Sequence, residues 1–329
     1  MSTPNITDKF GREIRYLRIS ITDRCNFRCR YCMPIHDFNF IPHPNILSYE
    51  EMMLAVEVFV ELGVRKVRVT GGEPLVRRGV DVFLEKIGKL EGIEEVTITT
   101  NGSLLKRHAD NIKAAGIKRI NVSLDSLKEE RYAAITGGFG MAQILEGIHY
   151  AKSIGLGVKT NTVAIKNFNH DEILDFCEFA KENDINVRFI EFMPVGNFDE
   201  WKDTGTITGK EILEIIGAKY KYEEIQKDKL AGPAVNYRLS NGAKIGIITP
   251  ISNHFCADCD KLRITADGKL RPCLLSDAEI DLMPAIRSGD REAVRKEIIN
   301  GLHLKEKEHH LMSEHRDEGF KRTMSKIGG

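Results

Sequence analysis

Cys25, Cys29 and Cys32 fall within the stretch Arg24-Cys25-Asn26-Phe27-Arg28-Cys29-Arg30-Tyr31-Cys32, a C-x3-C-x2-C spacing. Thiols confined to one short loop can converge on a single metal centre, and thiolates are soft ligands that suit iron–sulfur clusters, zinc or Cu(I). A four-iron cubane takes a ligand at each iron, so three cysteines leave one iron open. That open iron can dock a substrate or cofactor, by the logic that keeps catalytic zinc one protein ligand short. The plain alternatives are a zinc knot with its fourth ligand elsewhere, or thiols packed as small hydrophobes. A second triplet follows later, Cys256-Ala257-Asp258-Cys259 and then thirteen residues to Cys273, with Lys261, Arg263 and Arg271 set among the thiols. A structural zinc there would take His254 as its nearest fourth ligand, whereas an open cluster flanked by cations would bind an anion such as a nucleotide. The remaining Cys177 sits in the apolar pattern of Ile173, Leu174, Phe176 and Ala180, where packing is its expected role.

The elements that must position these loops read as alternating strands and helices. The run Leu17 to Thr22 precedes the first triplet as a strand, and Ser48 with Glu51 forms a capping box at the start of a helix closed by Gly63. Further strands are expected at Lys66 to Thr70, Val96 to Thr100, Ile117 to Leu124, Leu156 to Ala164 and Asn186 to Ile190. Helices are expected at Val80 to Leu90, Ser103 to Ala115, Met141 to Ile154 and Asp171 to Asn183. This alternation predicts a parallel sheet with helical crossovers. With about six β/α units it falls short of the eight of a closed TIM barrel, and a doubly wound sheet is the other topology. The strand ends carry Gly71-Gly72-Glu73, Thr99-Thr100-Asn101-Gly102, Ser123-Leu124-Asp125-Ser126, Lys159-Thr160-Asn161 and Glu191-Phe192-Met193. Parallel-sheet enzymes build their sites at that rim.

The pattern changes near Gly196, so residues 1–200 are expected to form a barrel unit and 201–329 an extension. The extension reads as a connecting segment with Trp201, a helix at Gly209 to Ile216, and short strands around Tyr220, Val235 to Leu239 and Lys244 to Ile248 forming a small antiparallel sheet. The second triplet and a charged helix from Asp290 to Gly301 follow, and His303, His309, His310 and His315 read as a solvated helix or tail. The chain has 329 residues, zero formal net charge and ordinary composition, so no whole-molecule field draws nucleic acid or anionic membrane. Its most apolar run, Met52 to Val60, is too short to span a bilayer and holds Glu57. The expectation is a cytoplasmic protein with no nucleic-acid or membrane partner.

The first triplet, with Tyr31 just before its last cysteine, resembles the signature of the radical S-adenosylmethionine (SAM) enzymes. Other segments narrow the resemblance: Leu17 to Asp23, Val69-Thr70-Gly71-Gly72-Glu73-Pro74, Thr99 to Gly102, Asn121 to Ser126, Arg188 to Gly196, the C-x2-C-x13-C triplet and the final Gly328-Gly329. Together they resemble the GTP 3′,8-cyclase family of molybdenum cofactor biosynthesis (MoaA) over nearly the whole chain. The resemblance implies an α/β fold, a partial (β/α)6 TIM-like barrel whose C-terminal extension carries a small antiparallel sheet and a second cluster site. It implies two oxygen-sensitive 4Fe–4S clusters. One, on Cys25, Cys29 and Cys32, would hold SAM and generate a 5′-deoxyadenosyl radical that takes H3′ of GTP. The other, on Cys256, Cys259 and Cys273, would bind the guanine whose C8 is joined to C3′.

By matching motif, SAM contacts fall on Tyr31, Gly72, Ser123 and Met193, and GTP contacts on Arg18, Lys66, Arg68, Thr99, Lys159, Arg188, Lys261 and Arg263. The tail of Gly328 and Gly329 would enter the site. The resemblance also implies a flavodoxin- or ferredoxin-type reductant, a homodimer, and hand-over to cyclic pyranopterin monophosphate synthase (MoaC). Where the family shows Arg-x-Arg after the C-x2-C, this chain has Lys261-Leu262-Arg263, which keeps the charge but loses one bidentate fork. Two other readings stand beside this one. A peptide-modifying radical SAM enzyme would carry more cysteines in the C-terminal region, and a zinc-stabilised binding module fits poorly with zero net charge and a β/α repeat.

Overall fold

Strand β1 (Tyr16–Ser20) shows in five residues how the sheet is made. Successive side chains of a strand point to opposite faces, so Leu17 and Ile19, both fully buried, face one way while Tyr16, Arg18 and Ser20 face the other. The apolar face packs on helices and the polar face is turned inward. The same alternation recurs in β2 (Lys66–Thr70), β3 (Glu95–Thr100), β4 (Arg119–Ser123), β5 (Gly157–Ala164) and β6 (Asn186–Glu191). The computed structural model describes residues 5–33, 39–193, 195, 205–226, 232–309 and 320–328.

The crossovers are α1 (Tyr49–Glu61), α2 (Val80–Gly88), α3 (Leu105–Ala114), the pair α4 (Glu129–Thr136) and α5 (Ala142–Ser153), and α6 (Ile173–Glu182). Helix α1 starts as expected: Ser48 Oγ accepts from Glu51 N at 3.1 Å while Glu51 Oε2 accepts from Ser48 N at 2.7 Å. Cys177 is fully buried in the core, also as expected. Helix α4 had no counterpart in the sequence reading, yet it holds the first cysteine loop. Arg28 N and Arg30 N donate to the carbonyls of Thr136 and Ile135 at 2.9 and 3.0 Å. Phe27 stacks on Phe139 with centroids 4.4 Å apart and meets the edge of Tyr132.

Beyond residue 205 lie α7 (Gly209–Gly217), β7 (Tyr222–Ile225), β8 (Val235–Leu239), β9 (Lys244–Ile248), β10 (Lys261–Ile264), β11 (Lys269–Arg271) and β12 (Ile280–Asp281). They are followed by α8 (Met283–Ser288), α9 (Arg291–His303) and α10 (Met324–Ile327). The antiparallel strands of the extension do not stand apart as a small sheet. The described strands form one open sheet in the order β12-β11-β10-β1-β2-β3-β4-β5-β6-β9-β8-β7. Antiparallel pairing is confined to β7–β8–β9 and β10–β11–β12, while β9 joins β6 and β10 joins β1 in parallel. A free edge would leave a row of unpaired backbone groups, and the extension covers both edges of the six-stranded unit. Trp201, Gly196, His310, His315 and Gly329 lie outside the described residues. Among those described, no helix is long and apolar enough to cross a membrane.

Candidate active site

Register turns the inward faces into rows of like chemistry. Arg271, Arg263, Arg18, Arg68, Thr97 and Arg119 are successive partners across β11, β10, β1, β2, β3 and β4. One row below, Lys261, Tyr16, Lys66 and Glu95 are partnered in the same way. One row above, Thr99, Asn121, Lys159 and Asn186 follow each other. Side chains of β1 through β6 and of the second cysteine loop line one cavity of about 320 Å3, so the sheet curves around it. Both cysteine triplets open onto that cavity, as do Tyr31, Gly72, Ser123, Met193, Arg18, Lys66, Arg68, Thr99, Arg188, Lys261 and Arg263. Lys159 does not form part of its wall, although it lies within the influence of Arg188 and Arg119.

The wall is strongly cationic and short of counter-charge. Burial, then Arg263 and Arg68, pull Arg18 well below the usual arginine range. Burial with Arg68 and Arg119 brings Arg188 to about 10. Lys159 is pushed down to about 7, first by burial and then by Arg188 and Arg119. Glu95 neutralises part of this, accepting from Lys66 Nζ at 2.6 Å and Arg119 Nη2 at 2.5 Å. The Tyr16 hydroxyl, Arg68 Nε, Thr99 Oγ1 and Arg188 Nε are buried without a hydrogen-bond partner. A buried polar atom in that state is costly unless a ligand satisfies it.

The two triplets sit in different surroundings. Burial raises the Cys25 thiol to about 11 and Cys32 to about 12, with Cys29 pushed well up by the same cause and by Cys32 beside it. Their neighbours are Asp125, raised to about 6 by burial, and Glu73, raised to about 7 by burial. Tyr31 donates to Asp125 Oδ2 at 2.7 Å. Glu73 accepts from Leu75 N, Thr100 Oγ1 and Asn101 N at 3.0, 2.8 and 2.6 Å. At the second triplet burial raises Cys256. Burial also acts to raise Cys259, but the ammonium groups of Lys305 and Lys261 outweigh it and leave that thiol below its ordinary value. Among the described residues no three such side chains already converge as ligands of one metal ion. His254, the expected fourth zinc ligand, instead lies 3.5 Å from Glu308 and packs against the ring of His309.

Two glycines are fixed by close approach. A Cβ on Gly72 would stand 2.4 Å from the carbonyl oxygen of Arg24, so the cysteine loop's own backbone already requires glycine there. Gly328 has φ of +67°, and a Cβ there would meet Ser20 Cβ at 2.9 Å. Its carbonyl accepts from Arg18 Nη2 at 3.1 Å and Arg263 Nη1 at 3.4 Å, so Gly328 reaches the cavity's cations. Sequence reasoning passed over Tyr16, Arg119 and Lys305, and placed Asn101 at the rim without giving it a contact. Tyr16 and Arg119 are recoverable from strand alternation, since they share a strand face with predicted contacts, Tyr16 two residues before Arg18 and Arg119 four before Ser123. Lys305 carried no local signal.

The curved sheet with cysteines at its rim has known counterparts. Streptococcus suis SuiB is alike in fold, with a TM-score of 0.62 at 15% identity over 87% of this chain and 67% of that one. The anSMEcpe structure with bound AdoMet gives 0.54 at 14% identity, covering 89% and 81%. A Radical SAM superfamily model matches residues 19–180, and a Molybdenum Cofactor Synthesis C model matches residues 185–311. Fold and site thus define the radical SAM class. A GTP 3′,8-cyclase from Thermodesulfovibrio yellowstonii is 48% identical over 98% of this chain and 99% of its own length. One from Alkaliphilus oremlandii is 43% identical over 98% and 99%. The chain belongs to the GTP 3′,8-cyclase family.

Proposed function

We propose that this protein converts GTP to (8S)-3′,8-cyclo-7,8-dihydroguanosine 5′-triphosphate, the first step of molybdenum cofactor biosynthesis. One observation carries the reading: two cysteine triplets face a single cavity whose wall between them is built of cations. In this reading Cys25, Cys29 and Cys32 hold one 4Fe–4S cluster, and Cys256, Cys259 and Cys273 hold the other. The donor sets fit, since each is three thiols and leaves one position for a ligand. When bound on Cys25, Cys29 and Cys32, the cluster with SAM would supply hydrogen-atom abstraction at the ribose 3′ position; the C3′–C8 bond would form at the expense of the guanine C8=N7 double bond, with one electron from the electron donor and one proton completing the 7,8-dihydro product.

The chain's own residues bind and orient. Tyr31, Gly72, Ser123 and Met193 form the SAM side of the cavity. Arg18, Lys66, Arg68, Arg188, Lys261 and Arg263, with Thr99, take the triphosphate, and Lys159 adds charge from behind the wall. Guanidinium groups suit phosphate because their donors form a planar fork. The unpartnered Arg68 Nε, Arg188 Nε and Thr99 Oγ1 support this assignment. Residues 1–200 carry the SAM side and most of the triphosphate contacts, while 201–329 add the second cluster with Lys261 and Arg263, and the boundary lies in a segment outside the described residues. A flavodoxin- or ferredoxin-type electron donor, a homodimer and delivery of the product to cyclic pyranopterin monophosphate synthase complete the proposal.

Anaerobic incubation with SAM, a reductant and GTP tests it. The expected result is 5′-deoxyadenosine together with loss of GTP, from protein holding about eight irons. Deoxyadenosine without GTP loss keeps the radical chemistry and rejects the substrate. Zinc without iron rejects both.

A further inference from the structure

Lys305 follows α9 and is 2% exposed. Its ammonium donates to the carbonyl of Lys261 at 3.0 Å and that of Pro272 at 2.9 Å, and to Cys259 Sγ at 3.4 Å. An ammonium has three donors, so all are used. No carboxylate pairs with Lys305 among the described residues, although surface lysines such as Lys89 and Lys128 are so paired. A buried charge needs a compensating one, and the Cys259 sulfur is the one partner here able to carry it. The two carbonyls add a second function. Lys261 lies two residues after Cys259 and Pro272 directly precedes Cys273, so one side chain ties together the two arms that carry these thiols. Among the described residues no ammonium reaches a sulfur of the first triplet: the N–H groups on Cys25 Sγ come from the Phe27 backbone and the Asn101 amide, both uncharged, and the Arg28 guanidinium bonds the Cys25 carbonyl instead.

We propose that Lys305 is the positioning residue of the C-terminal cluster, fixing Cys259 against Cys273 and placing an ammonium beside the Cys259 sulfur that favours the cluster's reduced state. The inference rests on the reading that Cys256, Cys259 and Cys273 hold a 4Fe–4S cluster. Charge and hydrogen bonds at the sulfurs are the protein's means of setting such a cluster's potential. A cation beside the sulfur stabilises the more negative, reduced form. The two centres in this one cavity therefore differ in how readily they take an electron.

The test is an anaerobic redox titration of full-length, cluster-loaded protein followed by electron paramagnetic resonance. The signal that responds to GTP reports the C-terminal cluster, and the one that responds to SAM is the internal control. Lys305→Met is expected to move the GTP-responsive midpoint to more negative potential. At the wild-type midpoint its reduced-to-oxidised ratio should fall about tenfold or more, which is about 59 mV for one electron. Lys305→Gln, which keeps an N–H donor without the charge, is expected to fall between Lys305→Met and wild type. The SAM-responsive midpoint should stay put in both. Unchanged GTP-responsive midpoints at full iron content overturn the inference. If Lys305→Met loses the cluster, Lys305→Arg decides: a wild-type midpoint supports the charge, while a midpoint at the Gln value or loss of the cluster overturns it. Wild-type protein with only about four irons and no GTP-responsive signal overturns the two-cluster reading itself.

Discussion

The two cysteine triplets use the same ligands in opposite electrostatic settings. Around Cys25, Cys29 and Cys32 the carboxyls of Asp125 and Glu73 act against the thiolates, Arg28 offsets them only at Cys25 and by less, and burial raises every thiol. Around Cys256, Cys259 and Cys273 the neighbours are Lys305, Lys261 and Arg263, and Cys259 is lowered despite its burial. The polar surroundings of the first set suit a ligand with an ammonium and hydroxyls, while those of the second suit a polyanion. Like thiols with unlike neighbours are what the proposed reading needs, since one cavity would then hold two different small molecules in fixed order.

The largest expected effect separates the triplets. Cys29→Ala should lower deoxyadenosine formation by about four orders of magnitude or more, the scale seen when one member of a unit is removed. Cys273→Ala should retain SAM cleavage while GTP consumption falls to background. If both variants lose SAM cleavage equally, the division of labour fails. Next in size is the chain's end. Gly328→Val adds a side chain against Ser20 and Thr70 at a φ of +67°, where β-branched residues are strongly disfavoured. Cyclisation should be lost while iron content stays at the wild-type level; full turnover would remove the tail from the site.

A single cation of the shared wall comes third. Arg188→Met should weaken GTP binding by about 2 kcal/mol, roughly thirtyfold, as for one lost charge-assisted hydrogen bond, and leave SAM binding alone. Equal loss of both would show that the wall serves both ligands. Lys261→Arg tests the departure from the family pattern. Restoring the fork should tighten GTP binding about threefold, a modest gain because Lys261 Nζ is already engaged by Asp260 at 2.8 Å.

Lys159 gives the smallest effect, and its sign follows from its depression to about 7. Above that value it is mostly neutral in the free protein, so a bound polyanion, which favours the ammonium, draws a proton onto it. Well below it the group is already charged and takes up none. Calorimetry at about pH 8 in buffers of different ionisation enthalpy should show up to about one proton taken up beyond that of Lys159→Met, and no difference at about pH 6. No difference at either pH would place Lys159 out of the ligand's reach.

Much of this molecule was legible before folding was considered. The period-two alternation of β1 and the capping box of Ser48 and Glu51 are local signals, and each predicted element is present within a few residues. The triplets, the cationic strands and the terminal glycines are likewise local spacings of residue types, and nearly all of them reach the cavity wall. Helix α4 escaped because its pattern is short and weakly amphipathic. The extension's sheet was misjudged because alternation marks a strand without saying which edge it joins.

Chain order therefore determined the ligand chemistry, the β/α repeat and which faces are polar, because these depend on neighbours within a few residues. Tertiary structure alone decided that β10 lies beside β1 and β9 beside β6, which brings Lys261 and Arg263 into register with Tyr16 and Arg18. It alone carried Gly328 to Arg18 and Lys305 to Cys259. The physical reason is that a charge's effect depends on what is near it in space and on how far water is excluded. Neither quantity is a property of spacing along the chain.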